Sequence, residues 1–161
     1  MKVAYEHIIP SPIDRVIAAY GSEGFYVEKQ KASGAISVDI LEWETLERGK
    51  IRTKARVSEP SRQPAFIRKS DVDTFVDDGV LDPEGGTLNW KITPAAGADK
   101  FFLKGCIEFH AQGDSTRVVY RTDLKVKIPL LGSKVEKFAL DKVEGETAAQ
   151  ASFLKEWLAR E

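Results

Sequence analysis

The spacing of hydrophobic residues changes abruptly near position 129. Between residues 120 and 128, apolar and neutral side chains alternate with charged ones, which is the period of a half-buried β-strand. After Pro129, which ends the strand, apolar residues recur in steps of three and four up to Leu158. This spacing predicts one amphipathic helix of about 27 residues that begins at a capping box of Ser133 and Glu136. Its predicted buried positions are Val135, Phe138, Ala139, Val143, Thr147, Ala151, Leu154 and Leu158.

The segment before this helix consists mainly of predicted β-strands. Residues 2–9 form a first strand, and two short helices follow, one with Ser11 as N-cap and Pro12 at its first position, the other at residues 25–32. Residues 59–70 carry too little pattern for an assignment. The remaining strands are predicted at residues 36–40, 51–57, 72–78, 88–92, 101–109 and 120–128.

This order of elements indicates an α+β fold. A long amphipathic helix cannot bury its apolar side alone, so the strands must supply a wide sheet for it. We expect a curved antiparallel sheet of about six to seven strands wrapped around the C-terminal helix, with the two short helices closing one edge. The length of 161 residues and the hydrophobic content of 42% fit a single domain over residues 1–161.

Composition and charge set simple limits on function. The formal net charge of -1 gives no overall attraction to nucleic acid or anionic lipid. Cys106 is the only cysteine, which excludes an internal disulfide and a cysteine-cluster metal site. The N-terminus lacks the apolar run of a secretory signal, and no stretch is long enough to cross a bilayer, so we expect a cytoplasmic location. Nothing in these features indicates an oligomeric state.

Familiar catalytic and cofactor-binding motifs are absent from the sequence. It has no phosphate-binding loop, dinucleotide-binding fingerprint, zinc-protease helix or nucleophile elbow, and we predict no cofactor. His7 and His110 have no acidic pair beside them, so we interpret both as structural or exposed rather than as metal ligands. Cys106 would need a neighbouring base to act as a nucleophile, and the sequence does not locate one.

A basic row on the outward side of two strands could meet phosphate groups if those strands were close together. The row consists of Arg52, Lys54, Arg56, Arg121, Lys125 and Lys127. Alternating charges are typical of a solvated sheet face, and no aromatic residues interleave with these for base stacking. We therefore expect no nucleic-acid partner, whereas a transient peripheral contact with an anionic membrane is compatible with the row.

The join between the last strand and the long helix resembles that of one known superfamily. The segment Ile128-Pro129-Leu130-Leu131-Gly132, the following Glu136 and the terminal Glu156-Trp157-Leu158 are similar to those of START-like (SRPBCC) proteins. The similarity runs from the Pro10–Val16 stretch to residue 158 and is greatest to a bacterial branch described as a domain of unknown function. It implies a helix-grip fold, whose cavity between sheet and long helix commonly binds a hydrophobic molecule. Some members are lipid carriers, aromatase/cyclases or chaperone regulators, and fold carries over between members better than function.

The expected cavity would be bordered by the inward rows of the strands and by small residues at the centre of the long helix. Small side chains leave room, although alanine is also the best helix former and would allow the sheet to approach closely instead. The candidate ligand-binding residues are Ile40, Thr53, Ala55, Val76, Trp90, Leu103, Ile107, Tyr120, Thr122, Leu124, Ala148 and Ser152.

Three functions follow from this resemblance. The first is binding or transport of a hydrophobic or amphipathic, lipid-like small molecule without catalysis. The second is a polyketide cyclase-like enzyme that uses Tyr120 or His7 as an acid or base. The third is a protein-interaction module with a collapsed pocket. An apolar pocket would favour the carrier, a solvent-filled pocket with a polar dyad the enzyme, and no pocket the interaction module.

Overall fold

A seven-stranded antiparallel sheet forms one layer of the protein, and helices cover one of its faces, which we name the inner face. The computed structural model describes residues 1–160. The strands are β1 (Lys2–Ile9), β2 (Ser37–Thr45), β3 (Ile51–Pro60), β4 (Val72–Asp82), β5 (Thr87–Pro94), β6 (Phe101–Gln112) and β7 (Ser115–Val126). The helices are α1 (Ile13–Tyr20), α2 (Glu23–Ala32), α3 (Gly132–Leu140) and α4 (Val143–Ala159). The predicted α+β helix-grip architecture is confirmed. None of the helices in residues 1–160 is both long and apolar enough to cross a membrane.

The sheet is built almost entirely from neighbouring hairpins. Its spatial order is β1-β7-β6-β5-β4-β3-β2, so six consecutive strands pair in sequence and β1 joins the far side of β7. Strand β2 contains a register shift between Ile40 and Glu42 that places Trp43 opposite Thr53. This bulge moves Trp43 to the inner face, which a strict alternation from Ile40 would not predict.

Two apolar clusters fill the space between the inner face and the helices. The first includes Phe25 of α2, Leu81 of β4 and Leu154 of α4, all fully buried. The second joins the end of β7 to α3 and the start of α4 through Leu124, Leu140 and other residues. Burial of these side chains is the main driving force for the association of helices and sheet.

The long C-terminal helix is present, with one local discontinuity. At residues 141 and 142 the backbone stays helical, but the Lys142 N–H donates to the carbonyl of Ala139, three residues back instead of four. Glu136 and Leu140 lie on the buried side of α3, and Phe138, two residues from each, lies on the opposite side and is 36% exposed. The prediction that Phe138 is buried is therefore wrong. The buried positions of α4 are Val143, Thr147, Ala151, Leu154 and Leu158, as predicted.

Both predicted N-caps differ in the structure. Helix α3 has Leu131 as N-cap and no side-chain cap, so the capping box of Ser133 and Glu136 does not form. The Glu136 carboxylate instead accepts a hydrogen bond from the Met1 ammonium group at 3.1 Å. Helix α1 begins at Ile13, with Pro12 as N-cap. The Ser11 carbonyl accepts a hydrogen bond from the buried Thr116 hydroxyl at 2.8 Å.

Strand β4 differs from its prediction in its end and in the side that Val76 faces. It was expected to end near Gly79, but it continues to Asp82 because Gly79 keeps its pairing with both neighbouring strands. Phe75, Asp77 and Gly79 face the inner side, so the alternation of a strand places Val76 on the outer face. Strand β7 ends at Val126, two residues before the predicted end.

Candidate functional site

A cavity of about 390 Å³ lies between the inner face, helix α2 and the junction of α3 with α4. Its volume falls within the range typical of small-molecule sites. The wall draws on both apolar clusters, with Phe25 and Ile107 on one side and Leu140 and Val143 on the other. Apolar side chains dominate the wall, a few polar groups interrupt it, and the cavity is partly open to solvent.

The floor of the cavity is a row of alternating large and small residues across five strands. Thr53, Gly79, Trp90, Gly105 and Thr122 stand opposite one another in register. A Cβ atom on Gly105 would lie only 2.3 Å from Cζ2 of the Trp90 indole, so the ring lies over this glycine. A Cβ atom on Gly79 would lie 2.7 Å from the Thr53 hydroxyl oxygen. Gly105 therefore makes room for the indole on the cavity floor, and Gly79 makes room for the Thr53 side chain.

Three polar groups form a hydrogen-bonded chain at one side of the cavity. The hydroxyl oxygens of Tyr20 and Tyr120 lie 3.1 Å apart, and the Tyr20 hydroxyl donates to Oε1 of Gln150 at 3.0 Å. Burial raises the pKa of Tyr120 to about 12, and burial together with Tyr120 raises the pKa of Tyr20 well above its ordinary value. Both hydroxyls are therefore neutral near pH 7, and they serve as hydrogen-bonding groups rather than as bases.

A second polar group of the wall combines an acid, a hydroxyl and an amine. The Tyr26 hydroxyl donates to Oδ2 of Asp77 at 2.8 Å. Burial raises the pKa of Asp77, while the hydrogen bond from Tyr26 and the charge of Lys29 act in the opposite direction. Burial lowers the pKa of Lys29, and Asp77 partly offsets that shift. These residues form a second polar region on the mainly apolar wall of the cavity.

An ion-pair cluster borders the cavity where β3 ends. Nη1 of Arg62 lies 2.9 Å from Oε1 of Glu146 on α4, and Nε of Arg62 lies 3.1 Å from Oε1 of Glu59 on β3. Arg62 also donates to the Ser33 carbonyl after α2 at 3.3 Å. Burial raises the pKa of Glu59, and the charge of Arg62 opposes this shift. Arg62 thus links three elements at the rim of the cavity.

The predicted ligand-binding residues divide into two groups by position. The residues that line the cavity are Thr53, Trp90, Leu103, Ile107, Tyr120, Thr122 and Leu124. The residues that do not line it are Ile40, Ala55, Val76, Ala148 and Ser152. The inward rows of β5, β6 and β7 were thus placed correctly by their alternation, and whether they bind a ligand stays a prediction.

Each of the five other residues lies away from the cavity for a local reason. Ile40 and Ala55 pair with each other between the outer strands β2 and β3, outside the cavity wall, and Ala55 is fully buried there. Val76 faces outward. Ser152 is exposed, and Ala148 is also displaced from the wall, because Thr147 and Gln150 form the cavity side of α4. The two residues chosen on α4 therefore lie beside the cavity side of the helix and not on it.

Several wall residues were missed by the sequence reasoning because they are polar. Lys29, Asp77 and Gln150 line the cavity, but each occupies a position that a hydrophobic pattern assigns to solvent. One signal could have found Lys29 together with another wall residue, Tyr26. Tyr26 and Lys29 lie three residues apart on α2, next to Phe25, and therefore on one side of the helix.

The remaining candidate residues lie outside this cavity. Nε2 of His7 is buried without a hydrogen-bond partner within residues 1–160, and its ring lies 6.0 Å from that of Tyr120. His110 contacts Oε1 of Glu108 at 3.1 Å, and Glu108 also contacts Arg121. The part of the chain that the structure describes contains no group of three or more potential metal ligands. Burial raises the pKa of the Cys106 thiol.

The basic row does not form one continuous patch. Strands β3 and β7, which carry its two halves, are separated by β4, β5 and β6. Along β3, Arg52, Lys54 and Arg56 pair with Glu44, Glu42 and Asp39 of β2. Acidic side chains therefore accompany this half of the row, which weakens any attraction to phosphate groups.

Comparison with known proteins gives a family and a fold. The family model described as "Protein of unknown function (DUF2505)" matches residues 4–158. The comparison with curated proteins yields no match. Among solved structures, the chain is similar to the Zhui aromatase/cyclase from Streptomyces sp. R1128, with 15% identity, a TM-score of 0.73 and coverage of 99% of this chain and 94% of that one.

Two further structures share the fold. A START superfamily protein from Mycobacterium smegmatis has 15% identity, a TM-score of 0.66 and coverage of 99% of this chain and 97% of that one. Norcoclaurine synthase from Thalictrum flavum has 14% identity, a TM-score of 0.66 and coverage of 100% of this chain and 87% of that one. The START-like superfamily resemblance is confirmed at the level of the fold.

Proposed function

The chain belongs to the DUF2505 family, and we propose from the cavity itself that it binds a hydrophobic or amphipathic small molecule. The observation that carries this proposal is the mainly apolar cavity of about 390 Å³ between sheet and helices. A site of this kind obtains affinity from apolar contact, and a few polar groups fix the orientation of the ligand. The same proposal includes two more specific statements, namely that the ligand is lipid-like and that the protein acts as its carrier.

The affinity that such a site supplies can be worked out in outline. Burial of ~300 Å² of apolar ligand surface contributes about 7 kcal/mol before the costs of association are subtracted. The remainder corresponds to reversible binding at micromolar concentrations or weaker. A carrier needs such reversibility, because it must release what it binds.

The open cavity and the state of its polar groups bear on the two alternative functions. An interaction module with a collapsed pocket is disfavoured by the volume of the cavity. For a cyclase-like enzyme, Tyr120 or His7 was the expected acid or base, but Tyr120 shares a hydrogen bond with Tyr20 and has a raised pKa. His7 contributes no atom to the cavity wall. Binding without catalysis at these two residues is therefore the function we propose.

Uptake of the uncharged dye Nile red tests the proposal. Thr122 lies on the cavity wall, so Thr122→Phe should fill part of the cavity and weaken dye uptake at least tenfold. The control is Ser152→Phe, which adds the same ring at an exposed position and should leave uptake unchanged. Circular dichroism should show that both variants are folded. Unchanged uptake by a folded Thr122→Phe variant, or no uptake by the wild type, would contradict the proposal. Native mass spectrometry of the purified wild type would then identify the class of any retained ligand.

A further inference from the structure

Lys29 has an unusual position on the cavity wall. Its Nζ atom lies over three aromatic rings, 5.2 Å from the ring centre of Tyr26, 5.7 Å from that of Tyr20 and 5.9 Å from that of Phe25. Within residues 1–160, this amine has no hydrogen bond to an acceptor and no carboxylate within 4.0 Å. A buried lysine normally pairs with an acidic partner, whereas Lys29, which is half-buried on the cavity wall, has no such pair among the described residues.

The surroundings of Lys29 favour the neutral amine more than the surroundings of a surface lysine do. Aromatic faces attract a cation only modestly, whereas removal from water disfavours the charged form strongly. In agreement, burial lowers the pKa of Lys29, and the charge of Asp77 offsets only part of that shift. A neutral lysine amine is a nucleophile, and desolvation in an apolar pocket is one of the established ways to produce it.

Asp77 supplies the other group that carbonyl chemistry requires. It lines the same cavity, and burial raises its pKa, so its carboxyl group holds a proton more readily than a surface aspartate does. The Tyr26 hydroxyl fixes this carboxyl group through the hydrogen bond of 2.8 Å. A nucleophilic amine and a proton donor therefore face one apolar cavity.

We propose that Lys29 forms an imine with the aldehyde or ketone group of an apolar ligand held in the cavity. The inference rests on the proposed function, since it requires that the cavity accept an apolar molecule, and it names the chemical class of that molecule. In the reaction, Nζ attacks the carbonyl carbon, and one of the two amine protons moves to the carbonyl oxygen, which gives a carbinolamine. Asp77 protonates the hydroxyl group, which leaves as water, and the nitrogen returns its remaining proton to the Asp77 carboxylate. One carbon–nitrogen double bond replaces the carbon–oxygen double bond, and nothing is oxidised or reduced.

Reductive trapping tests this proposal. The wild type is incubated with 2-naphthaldehyde, an apolar aromatic aldehyde, and sodium borohydride is added to reduce any imine to a stable secondary amine. Peptide mapping by mass spectrometry should locate the adduct at Lys29, at a level at least tenfold above that at any other lysine. Lys29→Met and Lys29→Arg should both lose the adduct, and the arginine variant keeps the positive charge. Lys104→Met, at an exposed position on the outer face of β6, is the control and should label at Lys29 like the wild type.

The outcomes separate this inference from the proposed function. Labelling spread evenly over surface lysines, or an equal amount of adduct on Lys29→Met, would overturn the role of Lys29. If the wild type takes up Nile red but gives no adduct at Lys29, the cavity binds apolar molecules and the imine proposal alone fails. The imine proposal would also be overturned if Lys29→Arg retained binding of 2-naphthaldehyde and the wild type formed no adduct. Lys29 would then be a cation that only orients the ligand. Failure of the wild type to take up Nile red would contradict both proposals.

Discussion

The substitution Gly105→Ala tests the cavity floor most directly, because it adds a single methyl group where two rigid atoms leave no room. The new Cβ would lie 2.1 Å from the Arg121 carbonyl oxygen and 2.3 Å from Cζ2 of Trp90. The carbonyl oxygen belongs to the backbone of the neighbouring strand β7, so no side-chain rotation moves it away. The indole extends from β5 over Gly105 of β6. The strands must therefore separate locally, or the indole must move toward the cavity.

The size of the effect can be estimated from two opposing contributions. Overpacking of a well-packed site typically costs about 1–3 kcal/mol, and a backbone contact places this case near the upper end. Replacing glycine with alanine also restricts the unfolded chain, which returns about 0.4–1 kcal/mol. The net destabilisation should be about 2 kcal/mol. For a domain of this size, this corresponds to a fall in Tm of roughly 4–8 °C.

Urea denaturation measures this change, and Gly145→Ala is the matched control. Gly145 lies in α4, and a Cβ atom added there meets no atom within 4 Å. Because glycine is unfavourable in a helix interior, Gly145→Ala should stabilise the protein by about 0.5–1 kcal/mol. A Gly105→Ala variant as stable as the wild type would refute the packing described for Trp90 and Gly105. Its Nile red uptake should also fall, because the displaced indole occupies part of the cavity.

A double-mutant cycle separates the two contacts of the added methyl group. Trp90→Leu removes the indole, so only the contact with the Arg121 carbonyl remains in the double variant. If the indole contributes to the clash, the double variant should be more stable than the sum of the two single changes predicts. Strict additivity would mean that the carbonyl contact alone limits residue 105.

Two predictions concern residues around the cavity. Trp157→Ala should destabilise the protein by about 3 kcal/mol in chemical denaturation, because the indole packs against Phe25 with ring centres 5.5 Å apart; a loss below ~1 kcal/mol would contradict this packing. Asp77→Asn should remove a pH dependence of stability, because burial raises the folded-state pKa of Asp77 above its ordinary value of 3.8. The wild type should therefore lose stability relative to this variant as the pH rises from 3.8 to the folded-state pKa. Above that pKa the difference between the two proteins should stay constant. If the free energies of unfolding of the two proteins changed equally across this pH range, the burial of Asp77 would be contradicted.

The fold was accessible from the sequence because its strong signals come from long periodic segments. Alternation placed the inward rows of β5, β6 and β7 correctly, and the three- and four-residue steps placed Leu154 and Leu158 on the buried side of α4. These patterns follow from burial on one side of an element, which single-chain periodicity reports directly.

The site was less accessible because its walls break the rule that polar residues face water. Asp77 faces the cavity beside Tyr26, a residue 51 positions away in the sequence. Lys29 lies over rings of its own helix and of α1, but its pattern position is that of a solvent-facing lysine. On β4, Val76 and its neighbours carried the apolar alternation on the outer face, so the pattern indicated the wrong side. The bulge in β2 is likewise a consequence of tertiary packing that local sequence does not encode. The choice of Ala148 and Ser152 was a different error, because the predicted stripe with Thr147 already marked the buried side of α4.

The pairing of the first strand with the last has a consequence for biosynthesis. Strands β2 to β7 each find their neighbour soon after leaving the ribosome, but β1 has no partner until β7 has been translated more than a hundred residues later. At ordinary elongation rates this wait is on the order of ten seconds. Helices α3 and α4 emerge later still, so the part of the inner face that they cover stays exposed for the whole interval. A ribosome-bound chain stopped before residue 115 would thus present both an unpaired edge at β6 and an incompletely covered apolar surface, the two features that make incomplete chains prone to aggregation.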